Sequence, residues 1–104
     1  MAITTTQGAS KTATLATTLQ RVESPDGLPL TGQLLYISWP SASQATTNQV
    51  RIRYGAGDDG DAVATDDDTI YPGTSYSRVI DIRGCASVAV AGTSAFAVTL
   101  RIVN

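Results

Sequence analysis

The segment AFAVTLRIV, residues 95–103, decides the fold class. Phe96, Val98, Leu100 and Ile102 occupy every second position, with Ala97, Thr99, Arg101 and Val103 between them. Successive side chains of a β-strand point to opposite faces, so this alternation gives one apolar face and one mixed face. A helix would place its apolar residues with a period near 3.6, and the strict period of two over the segment does not follow that pattern. The stretch QVRIRY, residues 49–54, repeats the pattern with Val50, Ile52 and Tyr54 against outward Arg51 and Arg53. In GQLLYISW, residues 32–39, Leu35, Ile37 and Trp39 share one face while Leu34 and Tyr36 hold the other. Apolar residues on both faces point to a central strand, or to one whose outer face a partner covers.

Working outward, Ser75 to Ile82 alternates again, with Tyr76, Ile80 and Ile82 as core positions beside outward Arg78 and Asp81. Val88 and Val90 mark another short strand. Residues 11–22 suit a helix by their Ala, Leu, Gln and Arg, but five Thr and Val residues tip the segment toward strand. Turn signals separate these runs: Ser24-Pro25-Asp26-Gly27, Pro40, Pro72-Gly73, Gly84 and Gly92-Thr93-Ser94. The connection GAGDDGDAVATDDD, residues 55–68, has room for a short strand at Ala62–Ala64. The expected architecture is all-β: a single two-sheet β-sandwich, jelly-roll-like, with about seven or eight short antiparallel strands. Residues 11–104 form that one domain, and the polar, Thr-rich residues 1–10 form a flexible or partner-bound N-terminal arm.

The 104 residues suffice for one core, and 42% of them are hydrophobic, with small Ala and Val making up half of these. Small side chains pack closely but bury little area each, which favours reinforcement by oligomerisation. The formal net charge of −2 argues against a nucleic-acid partner, which needs a basic face. No apolar run approaches the roughly 20 residues of a membrane-spanning helix. The opening MAITTTQGAS has neither the positive region nor the apolar core of a signal peptide, so synthesis in the cytoplasm is expected. The chain contains no histidine, one lysine (Lys11) and one cysteine (Cys85). That removes the usual general base at neutral pH, the Ser-His and Cys-His nucleophile arrangements and most zinc sites. The expected protein is therefore not an enzyme and needs no cofactor.

Asp58, Asp59, Asp61, Asp66, Asp67 and Asp68 crowd six carboxylates into one connection. A hard cation such as Ca²⁺ would relieve their repulsion, although the spacing does not fit an EF-hand loop. The plain reading is a solvated loop, and a third is a salt-bridging patch for a neighbour's Arg or Lys. Arg51, Arg53 and Arg78, with Tyr71 and Tyr36, are the candidate interface residues, because Arg and Tyr are favoured where proteins meet. Cys85 follows a turn and reads as an inert thiol.

The C-terminal third, IYPGTSYSRVIDIRGCASVAVAGTSAFAVTLRIV, runs from a Pro-Gly-x-Ser turn through an alternating strand and a Val-x-Val strand to a final alternating strand. This cadence resembles the small β-sandwich accessory proteins of tailed-phage virions, of the capsid decoration or cement type. The resemblance covers residues 70–103. It implies a virion protein that binds across subunits of the major capsid protein, as a homo-oligomer with a trimer favoured, and stabilises the head without chemistry. A tail, baseplate or fibre component is the alternative within that class, and a carbohydrate- or calcium-binding β-sandwich module the alternative outside it.

Overall fold

A computed structural model describes residues 2–55 and 59–104. Nine strands follow in order: β1 (Ile3–Thr4), β2 (Lys11–Thr14), β3 (Gln20–Glu23), β4 (Leu34–Ser38), β5 (Val50–Tyr54), β6 (Asp68–Ile70), β7 (Ser77–Asp81), β8 (Val88–Gly92) and β9 (Ala97–Val103). They form two sheets, in the orders β1-β3-β8-β5-β6 and β2-β9-β4-β7. The chain is all-β and the sheets pack as a sandwich.

The topology follows from one long folded ribbon. β2 pairs antiparallel with β9, β3 with β8, β4 with β7 and β5 with β6, so the two halves of the chain run side by side with the β5–β6 hairpin at the tip. Wrapping that ribbon brings β9 beside β4 and β8 beside β5, both antiparallel, which closes the jelly-roll arrangement. At each corner the two halves cross together and stay hydrogen-bonded. Leu15 N–H donates to Phe96 C=O at the first, Ile82 N–H to Gln33 C=O at the second, and Trp39 N–H to Tyr76 C=O at the third.

Between the sheets lies the core that the alternation marks. Val98, Leu100 and Ile102 of β9, Leu35 and Ile37 of β4, Val50 and Ile52 of β5, and Val88 and Val90 of β8 are all buried. Trp39 caps one end, with its indole N–H donating to Asn48 C=O at 2.8 Å. The polar edge of this buried ring is thereby satisfied.

Several expectations are corrected. Residues 11–22 are two strands in opposite sheets, because the chain turns between Leu15 and Leu19 and both leucines are buried at the bend. Among the described residues there are nine strands, and one pair, β1 with β3, is parallel. The expected arm over 1–10 is built into the domain: Ile3 is buried, Thr5 N–H donates to Glu23 C=O, and Gly8 N–H donates to Ile102 C=O. Ile3, its one large apolar residue past Ala2, has a place in the core, and its strand pairs along the free edge of β3. Tyr76 is exposed rather than core, held at φ +54° where the chain enters β7. Arg78 stands opposite Ile37 in the β4–β7 register, on the core side of an edge strand, and is exposed there. Residues 62–64 form no strand.

Gly92 ends β8 rather than sitting in the turn beyond it, at the tightest corner. A Cβ there would lie 2.4 Å from Ser94 C=O and 3.0 Å from the Phe96 ring. Gly92→Ala therefore forces the corner apart and should cost about 1–3 kcal/mol, seen as a lower urea midpoint at unchanged m-value.

Candidate interface: one sheet covered, one sheet open

The outer faces of the two sheets differ. On the five-stranded sheet the outward positions of β8 are Ala89 and Ala91, set opposite Arg53 and Arg51 of β5. Both alanines are buried, because the segment 59–67 folds back across them. Val63 of that segment packs on Leu19, Ala89 and Ala91, a second small apolar cluster outside the main core. Backbone bonds hold one end of the strap, from Leu19 N–H to Asp61 C=O and from Gly60 N–H to Leu19 C=O. The two arginines hold the rest.

Arg53 makes a two-pronged pair with Asp67, Nε to Oδ1 at 2.9 Å and Nη2 to Oδ2 at 3.0 Å. Its Nη1 reaches Asp61 Oδ2 at 3.3 Å and its Nη2 the Ala62 carbonyl at 3.1 Å. Arg51 Nη2 donates to Ala64 C=O at 3.2 Å. Asp67 also accepts from Ala64 N–H at 2.8 Å, and its side chain is only 5% exposed. The Arg53 guanidinium, aided by that backbone bond, holds the Asp67 carboxyl below its ordinary value. Tyr54 is pushed up to about 12, first by burial and then by its hydrogen bond to Asp68.

The six aspartates are thus distributed over separate tasks. Asp61 and Asp67 serve Arg53, Asp59 accepts from Arg21 N–H at 3.2 Å, and Asp68 serves Tyr54. Asp66 adds its charge to the field at Arg53. Asp58 lies outside the described residues. Among the described residues no group of three or more Asp, Glu, Cys or His side chains is placed to hold a metal ion.

The outer face of the other sheet is open. Its register sets Arg101, Tyr36 and Val79 in one row and Thr99, Ser38 and Ser77 in the next. Arg101 lies over the Tyr36 ring, 4.7 Å from its centroid, and Thr12 and Thr99 share a hydroxyl hydrogen bond of 2.9 Å. Val79 is 58% exposed. A shallow groove of about 330 Å³ runs here, lined by Tyr36, Ser38, Ser77, Arg78, Val79 and Arg101 among others.

Of the candidate interface residues, Tyr36 therefore lies at this groove, and Arg78 borders it from β7 with its side chain on the other face of the strand. Arg51 and Arg53 lie under the strap on the opposite sheet. Tyr71 is 54% exposed on the β6–β7 connection, apart from both. Sequence reasoning placed Arg101 on an outward strand face without choosing it as an interface residue, and did not mark Val79. The signal for Arg101 was present, since it alternates with Leu100 and Ile102. That for Val79 was not, because its facing is set by pairing with Tyr36.

Comparison with protein-family models, with curated proteins and with solved structures finds no match to this chain.

The Arg53–Asp67 pair makes strap closure depend on pH. A carboxyl whose folded pKa is lowered contributes stability above its ordinary value, near pH 4, and loses it as pH falls through the folded value. Asp67→Asn should lower Tm at pH 7 by on the order of 5 °C. The gap between wild type and variant should close as pH drops below about 4, followed by calorimetry across pH 2.5–7.

Proposed function

We propose that this chain is a non-enzymatic structural protein that binds other protein subunits through the open face of the β2-β9-β4-β7 sheet. The carrying observation is the asymmetry between the sheets. The chain spends a strap, two arginines and two aspartates on covering one outer face, and leaves Val79 and Arg101 exposed around a half-buried Tyr36 on the other. Arginine and aromatic residues at the centre of a patch, with hydroxyls around them, make the composition of a protein-binding surface. The non-enzymatic part rests on the sequence, with no histidine and a single lysine.

The narrower reading is a virion component, most specifically a capsid cement protein that grips the head across capsid subunits. It rests on the cadence of residues 70–103 and on physics. A protein that binds the assembled shell and not the free subunit stabilises the shell by mass action. The jelly-roll sandwich agrees with such a role and does not single it out, since the architecture hosts many functions.

Mass spectrometry of purified particles from the phage that encodes the chain should find it at a fixed ratio to the major capsid protein. Val79→Asp and Tyr36→Ala, both on the outer face, should leave Tm within a few degrees and cut incorporation at least tenfold. Absence from particles overturns the virion reading. Incorporation unchanged in both variants overturns the assignment of the face.

A further inference from the structure

Two open sheets have four edge strands, and here they are β1 and β6 of one sheet and β2 and β7 of the other. The N–H and C=O groups along such an edge are a template for one more strand, so edges are commonly kept short or marked with lysine. β1 has two residues and β6 three, and β2 opens on Lys11, the one lysine of the chain. β7 is the longest of the four, five residues without lysine or proline, and it carries Val79 at 58% exposure.

Trp39 N–H donates to Tyr76 C=O and Ile82 N–H donates to Gln33 C=O. In an antiparallel ladder the hydrogen-bonding direction alternates along the strand, so Arg78 and Ile80 also bond toward β4, opposite Ile37 and Leu35. Ser77, Val79 and Asp81 therefore direct their N–H and C=O groups away from the sheet. These three residues are spaced symmetrically about Val79. Two identical antiparallel strands are related by a two-fold axis, and such an axis needs an edge of that symmetry.

We infer that the occupant of the β7 edge is β7 of a second copy of this chain, paired antiparallel about a two-fold axis at Val79. Outward-bonding residues must meet outward-bonding residues, and only the register centred on Val79 engages all three. A register centred on Arg78 sets that arginine directly opposite its own copy, a destabilising like-charge pair. One centred on Ile80 sets the Asp81 carboxylate against the second copy's Val79. Centring on Val79 instead puts valine against valine and the Ser77 hydroxyl beside the second copy's Asp81. On the core side it lays the Arg78 stem along the second copy's Ile80, which is half-buried in the single chain. The same register carries the row Arg101, Tyr36, Val79 across the axis into its own mirror order. A contact of this kind closes on itself, so association stops at two. The inference stands on the edge of the sheet and not on the open-face reading.

In sedimentation velocity the full chain should pass from monomer to dimer as its concentration rises toward about 1 mM, the behaviour of a small interface. Val79→Lys and Val79→Asp each set like charges opposite one another and should stay monomeric, with circular dichroism unchanged. An equimolar mixture of the two should recover the dimer, because opposite charges then face across the axis. Opposed residues of a hydrogen-bonded antiparallel pair have Cα atoms roughly 5.5 Å apart, within the reach of a disulfide. In a Cys85→Ala background, Val79→Cys should therefore cross-link on oxidation. Ser77→Cys should not, since about 13 Å of strand separates it from its own copy. A chain that stays monomeric, a dimer that both charged variants leave intact, a mixture that does not reassociate, growth beyond two copies, or equal cross-linking from positions 77 and 79 overturns the inference. Tyr36→Ala, on β4, should leave the dimer intact. If it does so and still enters particles at the wild-type ratio, the edge contact stands and only the open-face reading falls.

Discussion

The pairing of β9 with β4, and of β8 with β5, turns a two-stranded ribbon into a closed sandwich, and the rest of the structure depends on it. Before that closure the ribbon has apolar residues along it but no second layer to bury them against. Once it is made, Leu100 and Ile102 face Val50, Ile52 and Val90 across the sandwich, and each corner must be tight enough for both halves of the ribbon to bend together. The glycine at the end of β8 and the leucines at the bend between β2 and β3 are consequences of this geometry. Nearly all stabilising pairs are distant in sequence, so loop-closure entropy is lost before burial compensates for it.

Closure also creates two outer faces, and the chain treats them differently. On one, small alanines of β8 leave a shallow floor on which the segment 59–67 can lie, and arginines of β5 stand on either side to bind it. The charge pair there is largely shielded from water, so it holds a fixed geometry better than an exposed pair would. The acidic connection, which by composition alone reads as solvated, becomes a covering layer. On the other face Tyr36, Arg101 and Val79 receive no such cover.

That difference is the physical basis of the functional proposal. A sheet with one face buried and the other solvated is ordinary in antiparallel proteins, but a solvated face is usually polar throughout. Here the row across the middle of the sheet is arginine, tyrosine and valine, bordered by an edge strand with free backbone groups. A guanidinium lying on an aromatic ring beside an exposed valine is a combination that a protein partner can use.

The sequence by itself determined the strands and which side of most of them is buried. The period-two alternation over 95–103, 49–54 and 32–39 records the burial of one face directly, residue by residue. The turn residues mark where strands stop, and the want of histidine narrows the chemistry. Only the tertiary structure decided that residues 11–22 divide between two sheets, that Ile3 belongs to the core, and that Asp67 and Asp61 belong to Arg53. It alone decided that Arg51 and Arg53 lie under the strap while Tyr36 is on the sheet face that has none. The physical reason is range: alternation is a property of neighbours along the chain, whereas strand partners, corners and the covering of a face are set by contacts between residues tens of positions apart, and local pattern carries no record of them.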